Sequence, residues 1–226
     1  PGSKELLFLL QLVYGADLVI PQPAWVSYAP QAQLLGRPCH QVPTQAEDGW
    51  RLHPDSLDQM CRDQGPRPRI LILNTPSNPT GLSLDASRLA QIAQVARDHQ
   101  IVVLSDEIYG EIHHEGNHVS IARFYPEGTI VSAGLSKWCG AGGWRLGTFL
   151  FPPDLRWLLD AVAIAASETY TSVSAPIQYA AVRAYQPCTE LEDYLKRSRR
   201  VLQALGQWSA AQLQGAGAYC PSPQGG

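Results

Sequence analysis

The feature that most constrains the fold is an alternation of apolar strands with helices along the middle of the chain. Residues 69–73 and 101–104 are runs of aliphatic side chains, and residues 85–99 between them place apolar side chains at helical spacing. Strands that alternate with helices form a largely parallel sheet with helices on both faces. The pattern therefore predicts a three-layer α/β/α fold.

The flanking segments extend this pattern in both directions. Shorter strand signals occur at residues 16–20 and 37–42, and Ser3 is a candidate N-cap for the first helix. The other helices are expected at residues 6–12, 24–35, 54–62, 155–167, 176–185 and 190–214.

One connection is too short for a crossover between parallel strands. Residues 129–133 and 146–151 have the character of strands, and the glycine-rich linker between them has no helical pattern. A parallel crossover takes a dozen or more residues and is usually helical. We therefore expect the strand at 146–151 to be antiparallel to its neighbours, which makes the sheet mixed.

The same connection carries Lys137 and, eight residues later, Arg145 among five glycines. Glycine allows a backbone to approach a bound group closely. Lysine forms Schiff bases, and the planar fork of arginine binds phosphate in a bidentate manner. Two cations at this spacing are more often exposed in a flexible turn. A binding site therefore requires further groups from elsewhere in the chain.

Such groups follow the predicted strands. Asn78, Asp106, Tyr109 and Lys137 all fall at or just past carboxyl ends, where ligands of parallel sheets bind. The start of the first helix, at Gly2 and Ser3, offers free backbone N–H groups to a phosphate. In contrast, Tyr28 is expected to pack in the core rather than to act in the site. Glu107, beside Asp106, is expected to be structural.

Composition excludes other classes of function. The chain has 226 residues, 45% hydrophobic and 16% charged, with a net charge of -3. We therefore expect no nucleic-acid partner, and the absence of long apolar runs predicts no membrane partner. Five scattered cysteines without a CxxC pair indicate reduced thiols and a cytoplasmic location. The chain opens on proline and ends at Gly225-Gly226, so we expect a segment of a longer protein.

A metal site is the alternative for the group of side chains at residues 113–118. His113, His114, Glu115 and His118 are separated by a Gly116-Asn117 turn, which does not align imidazoles on one helical face. We therefore expect no metal there, and we interpret Cys139 as a small buried filler.

In their order and spacing, these motifs resemble the class I/II aminotransferases. The resemblance rests on Asn74-x3-Asn78-Pro-Thr-Gly81, Asp106-x2-Tyr109 and Ser136-Lys137-x7-Arg145-x-Gly147 and runs from Gly2 to the end of the chain. These are fold-type I enzymes that depend on pyridoxal 5′-phosphate (PLP), among them aspartate aminotransferase. The resemblance implies a large PLP-binding domain with a mixed, mostly parallel seven-stranded sheet, most of which residues 1–175 would hold. Residues 176–226 would then be linking helices and the beginning of a small α+β domain. It also implies a homodimer with shared active sites.

The resemblance also implies a role for each residue of the motifs. Lys137 would bind PLP as an internal aldimine and then move a proton as base and acid, while Asp106 would pair with the pyridine nitrogen. The remaining roles are hydrogen bonds to ring oxygen O3′ from Asn78 and Tyr109, stacking by Trp25, and phosphate binding by Gly2, Ser3, Lys4, Ser136 and Arg145.

The sequence departs from the family's pattern at two points, and three functions remain open. Gly134 replaces a hydroxyl residue that many members place three positions before the lysine, and the arginine for the substrate carboxylate would lie beyond Gly226. The leading function is transfer of an amino group between an amino acid and a 2-oxo acid. The alternatives are a PLP-dependent carbon–sulfur or related elimination lyase, and an aminotransferase-like sensor domain of a transcription regulator.

Overall fold

The computed structural model describes residues 2–226, which contain one six-stranded sheet. The strands are β1 Asp17–Gln22, β2 Cys39–Pro43, β3 Arg69–Asn74, β4 Val102–Asp106, β5 Thr129–Gly134 and β6 Gly147–Leu150, in the spatial order β2-β1-β3-β4-β5-β6. β1 to β5 are parallel, and β6 is antiparallel to β5. The mixed sheet and the antiparallel last strand are confirmed. The six strands of the described residues lie at the six segments where strands were predicted from the sequence.

Helices cover both faces of this sheet. They are α1 Ser3–Val13, α2 Tyr28–Leu34, α3 Pro54–Gln64, α4 Ala86–Asp98, α5 Arg156–Ser167, α6 Ala175–Ala184 and α7 Thr189–Gly215. Because side chains alternate along a strand, Ile70 and Ile72 of β3 pack in a core with α1, α2 and α5, while Leu71 and Leu73 pack in a second core with α3 and α4. The three-layer α/β/α architecture is therefore confirmed.

Two predicted helix starts were wrong. α2 begins at Tyr28 rather than at residue 24, so Trp25 lies in the turn before the helix and accepts a backbone hydrogen bond from Tyr28. α1 has Gly2, not Ser3, as its N-cap, and no side chain caps it. Gly2 suits this position because its φ of 81° is a backbone conformation that side chains with a Cβ atom rarely adopt, and the Arg145 guanidinium packs against it.

The last helices pack beside the connection between β5 and β6. Ala181 of α6 and Leu195 of α7 belong to a cluster with Leu135, Trp138 and Leu146, which flank the Lys137 turn. None of the helices within residues 2–226 is long and apolar enough to cross a membrane. The division into two domains at residue 175 stays a prediction.

Candidate active site

A cavity of about 220 Å³ opens at the carboxyl edge of β3, β4 and β5. It is lined by Ser3, Lys4, Trp25, Tyr28, Asn74, Asn78, Asp106, Ile108, Tyr109, Ser136, Lys137, Gly142 and Arg145. Every predicted site residue except Gly2 lies in this set, and Gly2 contacts the Arg145 guanidinium. The structure thus brings the predicted residues together, while their individual roles stay predictions.

Asp106 ends β4 and is the buried acid of the cavity. The hydroxyl of Tyr28 donates a hydrogen bond of 2.6 Å to its Oδ2 atom, and the Ile108 N–H lies 3.4 Å from Oδ1. Burial raises the pKa of Asp106 above its ordinary value, although the Tyr28 hydroxyl acts in the opposite direction. The pKa of Tyr28 is raised well above its ordinary value by burial and by the Asp106 charge. Tyr28 therefore stays protonated and donates to the acid.

Sequence reasoning assigned Tyr28 to packing and missed this contact. Tyr28 does pack edge-on against Trp25, with ring centroids 5.3 Å apart, but its hydroxyl reaches the acid. The available signal was general: a buried tyrosine hydroxyl usually finds a polar partner. Its partner lies 78 residues away in sequence, so only the folded chain identifies it.

We predict that Tyr28→Phe impairs catalysis by the full-length protein. Without the hydroxyl, ionised Asp106 loses a charge-assisted hydrogen bond, so its pKa rises further and turnover falls about tenfold. The acid limb of the profile of kcat/KM against pH should move to higher pH. Tyr179→Phe is the control because Tyr179 is 80% exposed. An unchanged rate and pH profile in Tyr28→Phe would assign Tyr28 to packing alone.

Asparagine side chains tie the ends of β3 and β4 together. Asn74 donates through Nδ2 to the Asp106 carbonyl at 2.8 Å and accepts the Asn78 N–H on Oδ1 at 2.7 Å. Asn78 Nδ2 then lies 3.4 Å from the Tyr109 hydroxyl oxygen. Two potential donors, Asn78 and Tyr109, therefore meet at one point of the cavity wall.

Two lysine amines lie in the cavity, each over an aromatic ring. Lys137 Nζ lies 5.4 Å from the centroid of the Tyr109 ring, and Lys4 Nζ lies 4.9 Å from that of Trp25. Lys137 stands in the turn after β5, on the same side of the sheet edge as Asp106. Among the described residues, no carboxylate lies within ion-pair distance of either amine. Lys137 is exposed and lines the cavity, so its amine is accessible to a carbonyl group there.

The part of the cavity formed by Arg145 and the start of α1, which we call the anion corner, suits an anion. Arg145 adopts a left-handed backbone conformation, with φ 56° and ψ 42°, and its Nη1 donates to the Gly142 carbonyl at 2.7 Å. The guanidinium packs on Gly2 directly before α1, whose first backbone N–H groups have no intrahelical partners. A cation beside a helix N-terminus attracts phosphate.

Gly134 cannot be replaced by the hydroxyl residue that many aminotransferases carry there. An added Cβ would lie 2.8 Å from the Leu146 carbonyl oxygen and 3.1 Å from the Gly147 Cα atom. Close packing of β5 against β6 therefore requires glycine. The anion corner is left with Ser3, Lys4, Ser136 and Arg145.

These groups fit PLP. The buried Asp106 carboxylate suits a ring nitrogen that carries a proton, the Lys137 amine suits a carbonyl carbon, and the Arg145 corner suits a phosphate. The half-buried Trp25 supplies an aromatic face at the cavity wall. All of these groups line one cavity, so a single molecule can contact them together.

Glu107 lies behind Asp106 in a separate polar network. Its carboxylate accepts from Ser105 Oγ at 2.8 Å and lies 2.8 Å from His118 Nε2. Burial opposes ionisation of Glu107, but hydrogen bonds from His118 and its neighbours hold its pKa below the ordinary value. His118 is thus engaged by a carboxylate, and no cluster of three or more potential metal ligands occurs within residues 2–226.

We predict that Glu107→Gln destabilises the protein in a pH-dependent way. A carboxylate whose pKa is lowered by folding contributes stability above its unfolded pKa of about 4.3, and this contribution is lost as the pH falls through the folded value. The variant should lose about 1–3 kcal/mol at pH 7, and less in acid. Urea unfolding at several pH values measures this, with the exposed Glu47→Gln as control. A loss that is independent of pH would contradict the role of the charge.

The fold, with a lysine and an arginine on one cavity at the carboxyl edge of the sheet, is that of fold-type I enzymes. The chain belongs to the family described as aminotransferase class I and II, whose model matches residues 1–226. This family is PLP-dependent.

Relatives with known names support the assignment. The chain is 33% identical to an aspartate aminotransferase of Geobacillus stearothermophilus over 99% of its own length and 57% of the relative, and 34% identical to aromatic-amino-acid aminotransferase 2 of Thermococcus litoralis over 92% and 54%. A tetra mutant of Thermus thermophilus aspartate aminotransferase superposes with a TM-score of 0.91 at 27% identity, covering all of this chain and 61% of that one. The chain thus spans little more than half the length of the curated relatives it matches.

Proposed function

We propose that the full-length protein is a PLP-dependent aminotransferase that moves an amino group between an amino acid and a 2-oxo acid. The observation that carries this proposal is the convergence of Lys137, Asp106 and Arg145 on one cavity at the sheet edge. Membership of a family whose named relatives are aspartate and aromatic aminotransferases supports it. We also propose cytoplasmic location and a homodimer with shared active sites.

The residues of the chain would hold the cofactor at three points. Lys137 would attach its carbonyl carbon, Asp106 would keep its ring nitrogen protonated, and Arg145 with the α1 N-terminus would bind its phosphate. The remaining contacts are hydrogen bonds to the ring oxygen from Asn78 and Tyr109, supporting phosphate contacts from Ser3, Lys4 and Ser136, and stacking by Trp25.

When bound, PLP supplies an electron sink for negative charge at the substrate Cα atom. Lys137 Nζ, once released by the substrate amine, would remove the Cα proton as general base and return it as general acid. Asp106 would retain the proton on the ring nitrogen, because the ionised acid and the protonated ring stabilise one another in a buried site. Tyr28 would keep Asp106 oriented by its short hydrogen bond.

An elimination lyase would use the same residues, so products separate the two activities. The named relatives above are aminotransferases, which favours transfer over elimination. The test uses the full-length protein with 2-oxoglutarate and a panel of amino acids that includes aspartate and aromatic donors. We expect glutamate to form in proportion to donor consumed. Release of ammonia without glutamate would identify a lyase, and no reaction with any donor would favour a sensor domain.

A further inference from the structure

The chain after α7 returns to the candidate active site as a segment without helix or strand, which we name the strap (residues 219–226). Tyr219 anchors its beginning by donating a hydrogen bond of 2.8 Å to the Ala46 carbonyl. Near its end, Gly225 forms an antiparallel bridge with His113. The strap therefore crosses the loops that follow β3 and β4 instead of extending into solvent.

Gln224 of the strap bonds to both of these loops. Its N–H donates to the Gly81 carbonyl at 2.7 Å, and its side-chain Oε1 accepts the Ser83 N–H at 2.8 Å. Its carbonyl accepts the N–H of His114 at 2.8 Å. The first two partners belong to the loop that follows β3, and the third belongs to the segment that follows β4. One residue thus bridges two loops that are separate in sequence.

Close packing fixes the strap against these loops. An added Cβ on Gly81 would lie 2.6 Å from the Pro223 Cβ atom, and one on Gly225 would lie 2.5 Å from the Pro76 Cγ atom. Both distances are shorter than real Cβ contacts, so the strap is in full contact with the β3 loop.

The two bridged loops carry the pair of donors described above. Asn78 belongs to the loop after β3, and Tyr109 lies just before the 3₁₀ turn Gly110–Ile112 that leads to His114. The base of the β3 loop is tied to β4, because Asn74 Nδ2 and the Thr75 N–H both donate to the Asp106 carbonyl. Gln224 holds its far side, beyond Asn78. Asn78 thus lies between these two attachments, with its Nδ2 atom 3.4 Å from the Tyr109 oxygen.

We propose that the Gln224 side chain, by holding the Ser83 N–H of the β3 loop against the strap, is a positioning group that sets the separation of Asn78 and Tyr109 and, through it, their hydrogen bonds to the ring oxygen of the cofactor. This inference rests on the function proposed above. Gln224 does not line the cavity, so it acts through Asn78 and Tyr109 and makes no contact with the cofactor itself.

The test measures the pH midpoint of the absorbance change of PLP bound to the full-length protein, together with kcat and KM. Donors to an anionic oxygen lower its pKa, so Gln224→Ala should move the midpoint upward by roughly 0.5–1 pH unit. It should lower kcat about threefold to tenfold, with less effect on KM. Gln224→Glu keeps the acceptor for the Ser83 N–H beside Arg51, whose Nη2 lies 3.5 Å from Oε1, and should restore most of both values.

Two further variants make the outcome decisive. Ser222→Ala changes an exposed residue of the same strap and should match the unmodified protein. Gln224→Asn shortens the side chain by one methylene without removing its amide, so it tests positioning even if Gln224→Ala does not fold. If Gln224→Ala and Gln224→Asn bind the cofactor with an unchanged pH midpoint and an unchanged kcat, the inference about Gln224 is wrong, while the proposed function still stands. Absence of any cofactor absorbance in the unmodified protein would overturn the proposed function and the inference with it.

Discussion

Lys137→Ala is expected to abolish covalent attachment of PLP in the full-length protein and to lower turnover by at least about 10⁴-fold. The variant loses the amine that would bind the carbonyl carbon and the general base for the Cα proton, and a positioned base alone contributes up to about 10⁴-fold. Borohydride reduction followed by peptide mass spectrometry measures attachment, and a coupled assay measures turnover.

Lys4→Ala is the matched control for this experiment. Lys4 is the other amine of the cavity and lies over Trp25, so it reports whether any nearby lysine can attach the cofactor. The Lys4 variant should retain the reduced adduct on Lys137. An adduct that maps to Lys4 in the unmodified protein would show that the catalytic lysine has been misassigned.

Asp106→Asn is expected to lower turnover while it stabilises the cofactor-free protein. Loss of the carboxylate leaves the ring nitrogen without its anionic partner, which should cost at least about 3 kcal/mol of transition-state stabilisation, or more than about 100-fold in rate. Steady-state kinetics on the full-length protein measures this loss. Near-normal turnover in a folded variant would reduce Asp106 to a structural residue.

The stability effect follows from the sign of the Asp106 pKa shift. Burial raises this pKa, so the folded protein without cofactor is most stable with Asp106 protonated and loses stability as the pH rises from about 4 through the folded value. Asparagine removes that penalty, and the melting temperature at pH 8 should exceed that of the unmodified protein. The exposed Asp154→Asn should show no such gain. A lower melting temperature for Asp106→Asn at pH 8 would contradict the inference that the buried Asp106 charge destabilises the cofactor-free protein.

Local patterns predicted the features that depend on neighbours in sequence. The aliphatic runs at β3 and β4 identified buried parallel strands, and the short linker around Lys137 indicated the antiparallel β6. Because strand ends share one edge of the sheet, Asn78, Asp106 and Lys137 could be expected to lie close together before the fold was known.

Features that depend on distant contacts were not predictable in this way. Ser3 looked like a cap because serine favours that position, but the helix is capped at Gly2, whose φ of 81° favours glycine and which contacts Arg145. Tyr28 looked like a packing residue because its acid partner lies on another strand. The bonds made by Gln224 were equally hidden, since no periodic pattern marks a strap. Such contacts are selected by the assembled core rather than by local propensity.

The approach of Arg145 to the start of α1 has a consequence for how the protein assembles. The two halves of the anion corner are separated by about 140 residues, so they meet only when α1 and β6 have both docked on the sheet. A partly folded chain would therefore have almost no affinity for phosphate, and any anion bound there would stabilise the complete sheet by RT ln(1 + [L]/Kd). Cofactor binding would then occur late in folding and would stabilise only those molecules in which α1 and β6 are both in place.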